Sequence, residues 1–179
     1  MKGIVFTEFL SMVEQKFGYE TVDRIITESK VPNDGAYSAV GTYDHTELVR
    51  MVVELSKASD IPIPELIKVY GNYFFGVLRD NYSVFMDRVN NLFDFFDSIH
   101  DHIHVEVKKL YPDAELPAFE VVSRTDQEMV MVYKSQRKMS DFALGLMEQA
   151  AQHFGEDVAI EKTFLDEDGA VVRFKITKH

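Results

Sequence analysis

Residues 118–139 read AFEVVSRTDQEMVMVYKSQRKM, and the way this stretch alternates decides the class of fold. FEVVSRT and EMVMVYKS place apolar and polar residues in turn around a Thr-Asp-Gln connection, the pattern of two strands joined as a hairpin. Further on, VAIEKTFL and AVVRFKIT flank Asp166-Glu167-Asp168-Gly169, a second hairpin signal. Between the hairpins, Lys138 to Phe154 is apolar at Phe142, Leu146, Ala150 and Phe154, a helical spacing, with Gly155 positioned as a C-cap.

Upstream the period is helical throughout. Residues 3–18 carry Phe6, Phe9, Leu10, Val13 and Phe17 on one face. The run VPNDGAYSAVGT (31–42) reads as loop, and Asp44 with Glu47 forms the signature of a capping box opening a helix to about residue 57. Pro62 and Pro64 mark a turn, after which helical periodicity runs from Glu65 to Gly76 and from Ser83 to Tyr111, with a polar break at Arg79-Asp80-Asn81. The expected fold is α+β: an N-terminal helical part, then a four-stranded antiparallel sheet with one inserted helix. One domain is expected, divided into a helical part at about 1–62 and a part with the later helices and sheet at about 63–179.

Composition limits what such a fold does. The chain has 179 residues, 46% of them apolar, enough for one well-buried core. Its 30 acidic against 19 basic side chains give a formal charge of -11, which repels nucleic acid and anionic lipid. No apolar run reaches the roughly 20 residues that cross a bilayer, and Glu8 interrupts the N-terminal apolar stretch, so a cytoplasmic location is expected. The absence of Cys excludes disulfides, thiolate metal sites and Cys nucleophiles.

Two groups of side chains carry candidate chemistry. In HDHIHVEVKKLYPD (100–113), a helix buried along Leu92, Phe96, Ile99, Ile103 and Leu110 puts His100 and His104 on one flank with Phe93, Val107 and Tyr111, and His102 on the solvated flank. His100 and His104, one turn apart, have the spacing of a helical zinc pair, although no third ligand is evident; ordinary surface histidines give the same pattern. In the second group, Tyr133, Ser135 and Arg137 recur with period two, so an extended strand points two hydroxyls and a guanidinium to one side, an arrangement suited to carboxylates. A strand whose polar face meets water has the same alternation.

The two groups, taken with their neighbours, resemble the haem nitric oxide/oxygen binding (H-NOX) family, sensor domains related to the haem domain of soluble guanylate cyclase. The matching pieces run in order along the whole chain: Met1-Lys2-Gly3, His104 leading to Tyr111-Pro112, Pro117-Ala118-Phe119, Tyr133-Lys134-Ser135-Gln136-Arg137-Lys138-Met139, and Leu144-Gly145-Leu146. The resemblance implies a stand-alone bacterial type of sensor that binds haem b non-covalently. His104 is then the iron ligand, with His100 and His102 as bystanders, and Tyr133, Ser135 and Arg137 hold the propionates. It also implies that Val5, Pro117 and Leu146 press on the haem and distort it, and that Phe9 and Phe74 line the pocket. Oxygen-binding members use a distal Tyr; the position nine residues beyond Tyr133 is Phe142, which has no donor. The chain therefore resembles the branch that selects nitric oxide (NO), with carbon monoxide (CO) as a further expected ligand. Tyr70 and Tyr73 are the phenols that upset this reading if either reaches the pocket.

NO binding is implied to weaken or break the iron–His104 bond, leaving a five-coordinate nitrosyl and letting the helical and sheet parts shift. No catalytic segment is visible before His179, so output is expected to pass to a separate protein: a histidine kinase first, a cyclic-di-GMP enzyme second. The competing readings are an O₂ sensor on the same fold, a haem enzyme, or a haem-free zinc domain. A haem enzyme needs a distal acid–base pair, and neither His45, after a loop, nor His153, at a helix end, suits that role.

Overall fold

The computed structural model describes residues 1–179 except Ser83, Val84, Phe85 and Asp87, and leaves out the side chain of Leu110. The helices are α1 (Ile4–Phe17), α2 (Tyr19–Ser29), α3 (His45–Ser59), α4 (Ile63–Asn81), α5 (Leu92–Ser98), α6 (His104–Leu110) and α7 (Ser140–Phe154). The strands are β1 (Ala118–Arg124), β2 (Glu128–Lys134), β3 (Val158–Phe164) and β4 (Val171–Lys178). They form one antiparallel sheet in the order β1-β2-β4-β3, with α7 inserted between the hairpins, so the α+β reading holds.

Alternation in the sheet is strict where it faces α7: Met129, Met131 and Tyr133 of β2 and Val172, Phe174 and Ile176 of β4 are buried. Both hairpins close as their turn residues dictate. The Thr125 side chain accepts the Glu128 N–H at 2.9 Å, and Asp166 accepts that of Gly169 at 2.8 Å, where the positive φ of 76° favours glycine.

The helical part differs from expectation in four places. Helix α2 was not foreseen. Asp44 does cap α3, accepting the Thr46 N–H at 2.9 Å, but Glu47 does not complete the box. Its carboxylate accepts the Tyr37 hydroxyl at 2.8 Å instead. Helix α4 runs through the expected break at Arg79-Asp80-Asn81, because a solvated last turn tolerates polar residues and Asn81 donates back to the Val77 carbonyl at 2.8 Å. The start expected at Ser83 and the buried place expected for Leu110 lie outside the described residues. The fourth difference is the interruption between α5 and α6 by a π turn, Ile99–Ile103, in which the His104 N–H reaches back to the Ile99 carbonyl.

Two apolar clusters fill the interior. One gathers Phe6, Phe9, Met12, Ile25, Leu48, Met51, Leu55 and Tyr70; the other gathers α5, α7 and the inner face of the sheet. Helix α4 serves both, with Tyr70 and Phe74 in the first and Phe75 in the second. It meets α7 backbone to backbone. A Cβ on Gly71 would lie 2.2 Å from the Phe142 carbonyl oxygen, and one on Gly145 would lie 2.1 Å from that of Lys68.

Gly145→Ala should therefore cost about 1–3 kcal/mol in urea unfolding, since neither backbone yields without moving a whole helix. Gly76→Ala, in the same helix α4 but with nothing within 4 Å of the new methyl, should be neutral or stabilising by up to ~1 kcal/mol.

Candidate functional site

Between α1, α4, α7, the π turn, α6 and the ends of β1 and β2 lies a cavity of about 390 Å³. From α1, α4 and α7 its lining takes Ile4, Val5, Phe74, Phe75, Leu78, Phe142, Ala143, Leu146 and Met147, none of which carries a hydrogen-bond donor on its side chain. From the other segments come Ile99, Ile103, His104, Val107, Pro117 and Phe119, the phenols Tyr82 and Tyr111 with hydroxyls 3.3 Å apart, and towards the mouth Tyr133, Ser135 and Arg137. Of the residues singled out in the sequence, Val5, Phe74, His104, Pro117, Tyr133, Ser135, Arg137, Phe142 and Leu146 thus meet around one space. Phe9 does not: it is fully buried behind Tyr70, itself outside the lining, and meets that ring edge-on at 5.3 Å, because its position on α1 turns it into the helical cluster.

His104 is where the π turn matters. A wider turn changes the phase of everything after it. His100 and His102 are left exposed, while His104 is drawn inward, with its ring 6.0 Å from that of Phe119. His100 and His104, expected to share a flank, differ in burial for that reason. Burial, reinforced by the positive charges that His100 and Lys108 can carry, pushes the His104 imidazole down to about 4, so it is neutral at physiological pH and offers a lone pair. Among the described residues, no group of three or more His, Cys, Asp or Glu side chains is placed to hold a bare metal ion.

The polar trio converges by a turn and not by strand alternation. Strand β2 ends at Lys134; the Ser135 hydroxyl then accepts the Arg137 N–H at 3.2 Å, and Lys138 adopts a left-handed φ of 54°. The Tyr133 phenol is 2% exposed and held above its ordinary value by burial, while hydrogen bonds with Ser135 and the Met139 backbone and the charge of Arg137 act in the opposite sense. Arg137 donates to the Glu115 carbonyl at 2.6 Å and to its carboxylate at 3.1 Å. That carboxylate is 87% exposed, so another carboxylate can take its place on the guanidinium at little cost. Across the same mouth, Lys2 donates to Thr42 at 2.9 Å and to Asp113 at 3.1 Å, joining the N-terminus to the segment after α6.

The two phenols in question are both occupied. Tyr70 is buried and donates its hydroxyl to the Val5 carbonyl at 2.5 Å. The Tyr73 hydroxyl accepts from Gln15 at 3.2 Å and lies 3.5 Å from the Glu8 carboxylate. Neither contributes to the cavity lining, nor do His45 and His153.

These residues fit an iron porphyrin. A single neutral imidazole suits a metal whose other equatorial ligands come with it, the apolar walls suit the ring, and a guanidinium beside two hydroxyls at the mouth suits its acid arms. The comparisons agree: residues 2–162 match the model of the haem-NO-binding family, and the chain belongs to that family, one of haem-binding gas sensors related to soluble guanylate cyclase. A crystal structure of the unliganded Fe(II) H-NOX protein from K. algicida is 44% identical, with a TM-score of 0.96 and coverage of 100% of this chain and 97% of that one. The H-NOX protein from Shewanella woodyi, solved in its Fe(II)CO state with IWP-051 bound, is 38% identical, with a TM-score of 0.85 and coverage of 100% and 95%. The Fe(II)NO structure from S. oneidensis is 27% identical at a TM-score of 0.92, covering 100% of this chain and 99% of that one. Soluble guanylate cyclase 89Db of Drosophila melanogaster is 23% identical over 159 residues, 86% of this chain but only 23% of the cyclase.

The shift at His104 has a measurable consequence in the haem-free protein. A histidine whose folded-state value lies below its unfolded one of about 6.5 resists protonation in the fold, so stability present above that pH falls as pH drops towards about 4 and then levels off. Urea unfolding from about pH 7 to about pH 4 should show this loss, and His104→Phe should remove His104's share of it.

Proposed function

We propose that this chain is a haem-based sensor of nitric oxide. It binds one haem b non-covalently through His104, with Tyr133, Ser135 and Arg137 on the propionates and Val5, Phe74, Pro117, Phe142 and Leu146 against the ring. When bound, ferrous haem supplies a gas-binding iron whose hold on O₂, unlike its hold on NO, depends strongly on a nearby hydrogen-bond donor. One observation carries the choice of gas: every lining side chain from α1, α4 and α7 is apolar, Tyr70 and Tyr73 spend their hydroxyls elsewhere, and the lining phenols Tyr82 and Tyr111 lie beyond the ends of α4 and α6 with their hydroxyls 3.3 Å apart. CO, which the relative from Shewanella woodyi binds, is a further ligand under this reading.

The chain's own residues supply the response. His104 would tether α6 and the π turn Ile99–Ile103 to a bound haem, and these segments would be free to repack where that tether is loosened. The helical part, about 1–62, then shifts against the remainder, about 63–179, with Val5, Pro117 and Leu146 as the contacts that report the shift. In this reading the chain is not an enzyme. It acts in the cytoplasm through a separate partner, a histidine kinase in the first instance and a cyclic-di-GMP enzyme in the second. Its formal charge of -11 argues against nucleic acid and anionic lipid as targets, and among the described residues no helix is long and apolar enough to cross a membrane.

Absorption spectra of the purified ferrous protein test this directly. The expected result is a Soret band, shifted by NO and by CO, with no stable oxy complex in air. A missing Soret band overturns the haem reading, and a stable oxy complex overturns NO selectivity. Phe142→Tyr, which puts a donor on the apolar wall, should confer measurable O₂ binding with NO binding retained.

A further inference from the structure

Tyr70 is among the largest fully buried side chains, at 1% exposure, and buried phenols need a partner for the hydroxyl. Its partner is a main-chain atom 65 residues away in sequence, the Val5 carbonyl in the first turn of α1, at 2.5 Å. Its ring meets those of Phe74 at 5.7 Å, Phe142 at 5.1 Å and Phe9 at 5.3 Å. Val5, Phe74 and Phe142 line the cavity, whereas Tyr70 does not. One side chain thus stands behind three wall residues from three helices, bonded to one and packed on two. Building on the haem reading above, we propose that Tyr70 is a positioning residue for the gas-selective wall: its hydroxyl anchors Val5 against the cavity and thereby keeps its own proton away from the bound gas.

The first turn of α1 has need of such an anchor. Gly3, its N-cap, makes no side-chain cap; main-chain bonds to the 39–41 loop, Gly3 N–H to Gly41 at 2.8 Å and Ile4 N–H to Ala39 at 2.9 Å, and the buried Phe6 ring against Tyr37 and Tyr43 hold the segment on its other sides. The hydroxyl of Tyr70 ties this turn to α4. Burial and the nearby Glu8 carboxylate hold the phenol well above its ordinary value, so it remains a donor at every physiological pH. Tyr70 and Phe74 are also one turn apart on α4, so the phenol lies a single ring behind the wall, and its commitment to Val5 directs its donor away from that wall.

The test compares haem-loaded and haem-free wild type, Tyr70→Phe and Tyr73→Phe. Phe fills the same space, and Tyr73, whose hydroxyl lies by Gln15 and Glu8, is the control. Tyr70→Phe should speed amide hydrogen exchange in the first turn of α1, residues 4–7, by about fivefold to tenfold, from the loss of one hydrogen bond. It should also shift the out-of-plane haem bands in resonance Raman spectra, with Tyr73→Phe changing neither. Unchanged exchange and unchanged bands in Tyr70→Phe, or equal changes in Tyr73→Phe, would overturn the anchor with the haem reading intact. An oxy complex held by the wild type and lost in Tyr70→Phe would show the proton serving the gas and overturn the proposal in the other direction. Absence of a Soret band from every protein would sink the haem reading and with it the assignment of a gas-selective wall, even where the exchange difference persists.

Discussion

Where α4 crosses α7, there is no room for a side chain on either helix. Phe142 and Lys68 present carbonyl oxygens to the places where Gly71 and Gly145 would carry a Cβ. This contact sets the separation of the two helices, and that separation sets the cavity. Phe74 and Phe142, one from each helix, close their shared wall with ring centroids 5.5 Å apart. Phe75, next along α4, belongs to the other cluster, with the sheet and α5. A change in how α4 and α7 meet is therefore felt at once in both cores and in the space between them, since packed interiors redistribute strain and do not absorb it.

The polarity of the cavity follows from the same arrangement. Helices α1, α4 and α7 contribute aliphatic and aromatic side chains to the cavity, and its polar groups lie in or next to segments where the backbone leaves regular structure: the turn at Ser135–Lys138 with Tyr133 just before it, the segment 111–117, and the π turn that leads into His104. An apolar slot with a basic, hydroxyl-rich mouth orients a flat amphiphile without any further instruction, ring inward and carboxylates outward. His104 completes the set because its surroundings withhold the proton that would otherwise occupy its lone pair.

Much of this was legible in the sequence, for identifiable reasons. The hairpins were readable because strand alternation and turn chemistry are local, as Asp166 and Gly169 show. Helix α7 was readable because Phe142, Leu146 and Ala150 recur at helical spacing up to Gly155, which caps it at a φ of 68°. The site residues depended on irregular backbone, which periodicity misses. Alternation brought Tyr133, Ser135 and Arg137 together by the wrong route, since the chain turns after Lys134 and Ser135 bonds to Arg137. An ideal helix through 92–111 made His104 and His100 equivalent, whereas past the π turn His104 is drawn inward and His100 is left exposed. Phe9 faces inward as its spacing says, but inward at that level of α1 means Tyr70 and not the cavity. Nor was there any local signal that Gly71 faces Gly145, or that Tyr70 reaches Val5, because both are contacts between distant parts of the chain. A tyrosine at position 70, one turn before Phe74 on the apolar face of α4, was the one hint of the latter.

The claim at the centre is that His104 is the protein's ligand to haem iron. Low-frequency resonance Raman spectroscopy of the ferrous, gas-free protein tests it most directly. The account predicts an iron–histidine band that moves when histidine is labelled with a heavy nitrogen isotope, is missing from His104→Gly, and returns when free imidazole is added to that variant. A band that persists in His104→Gly without added imidazole would contradict it.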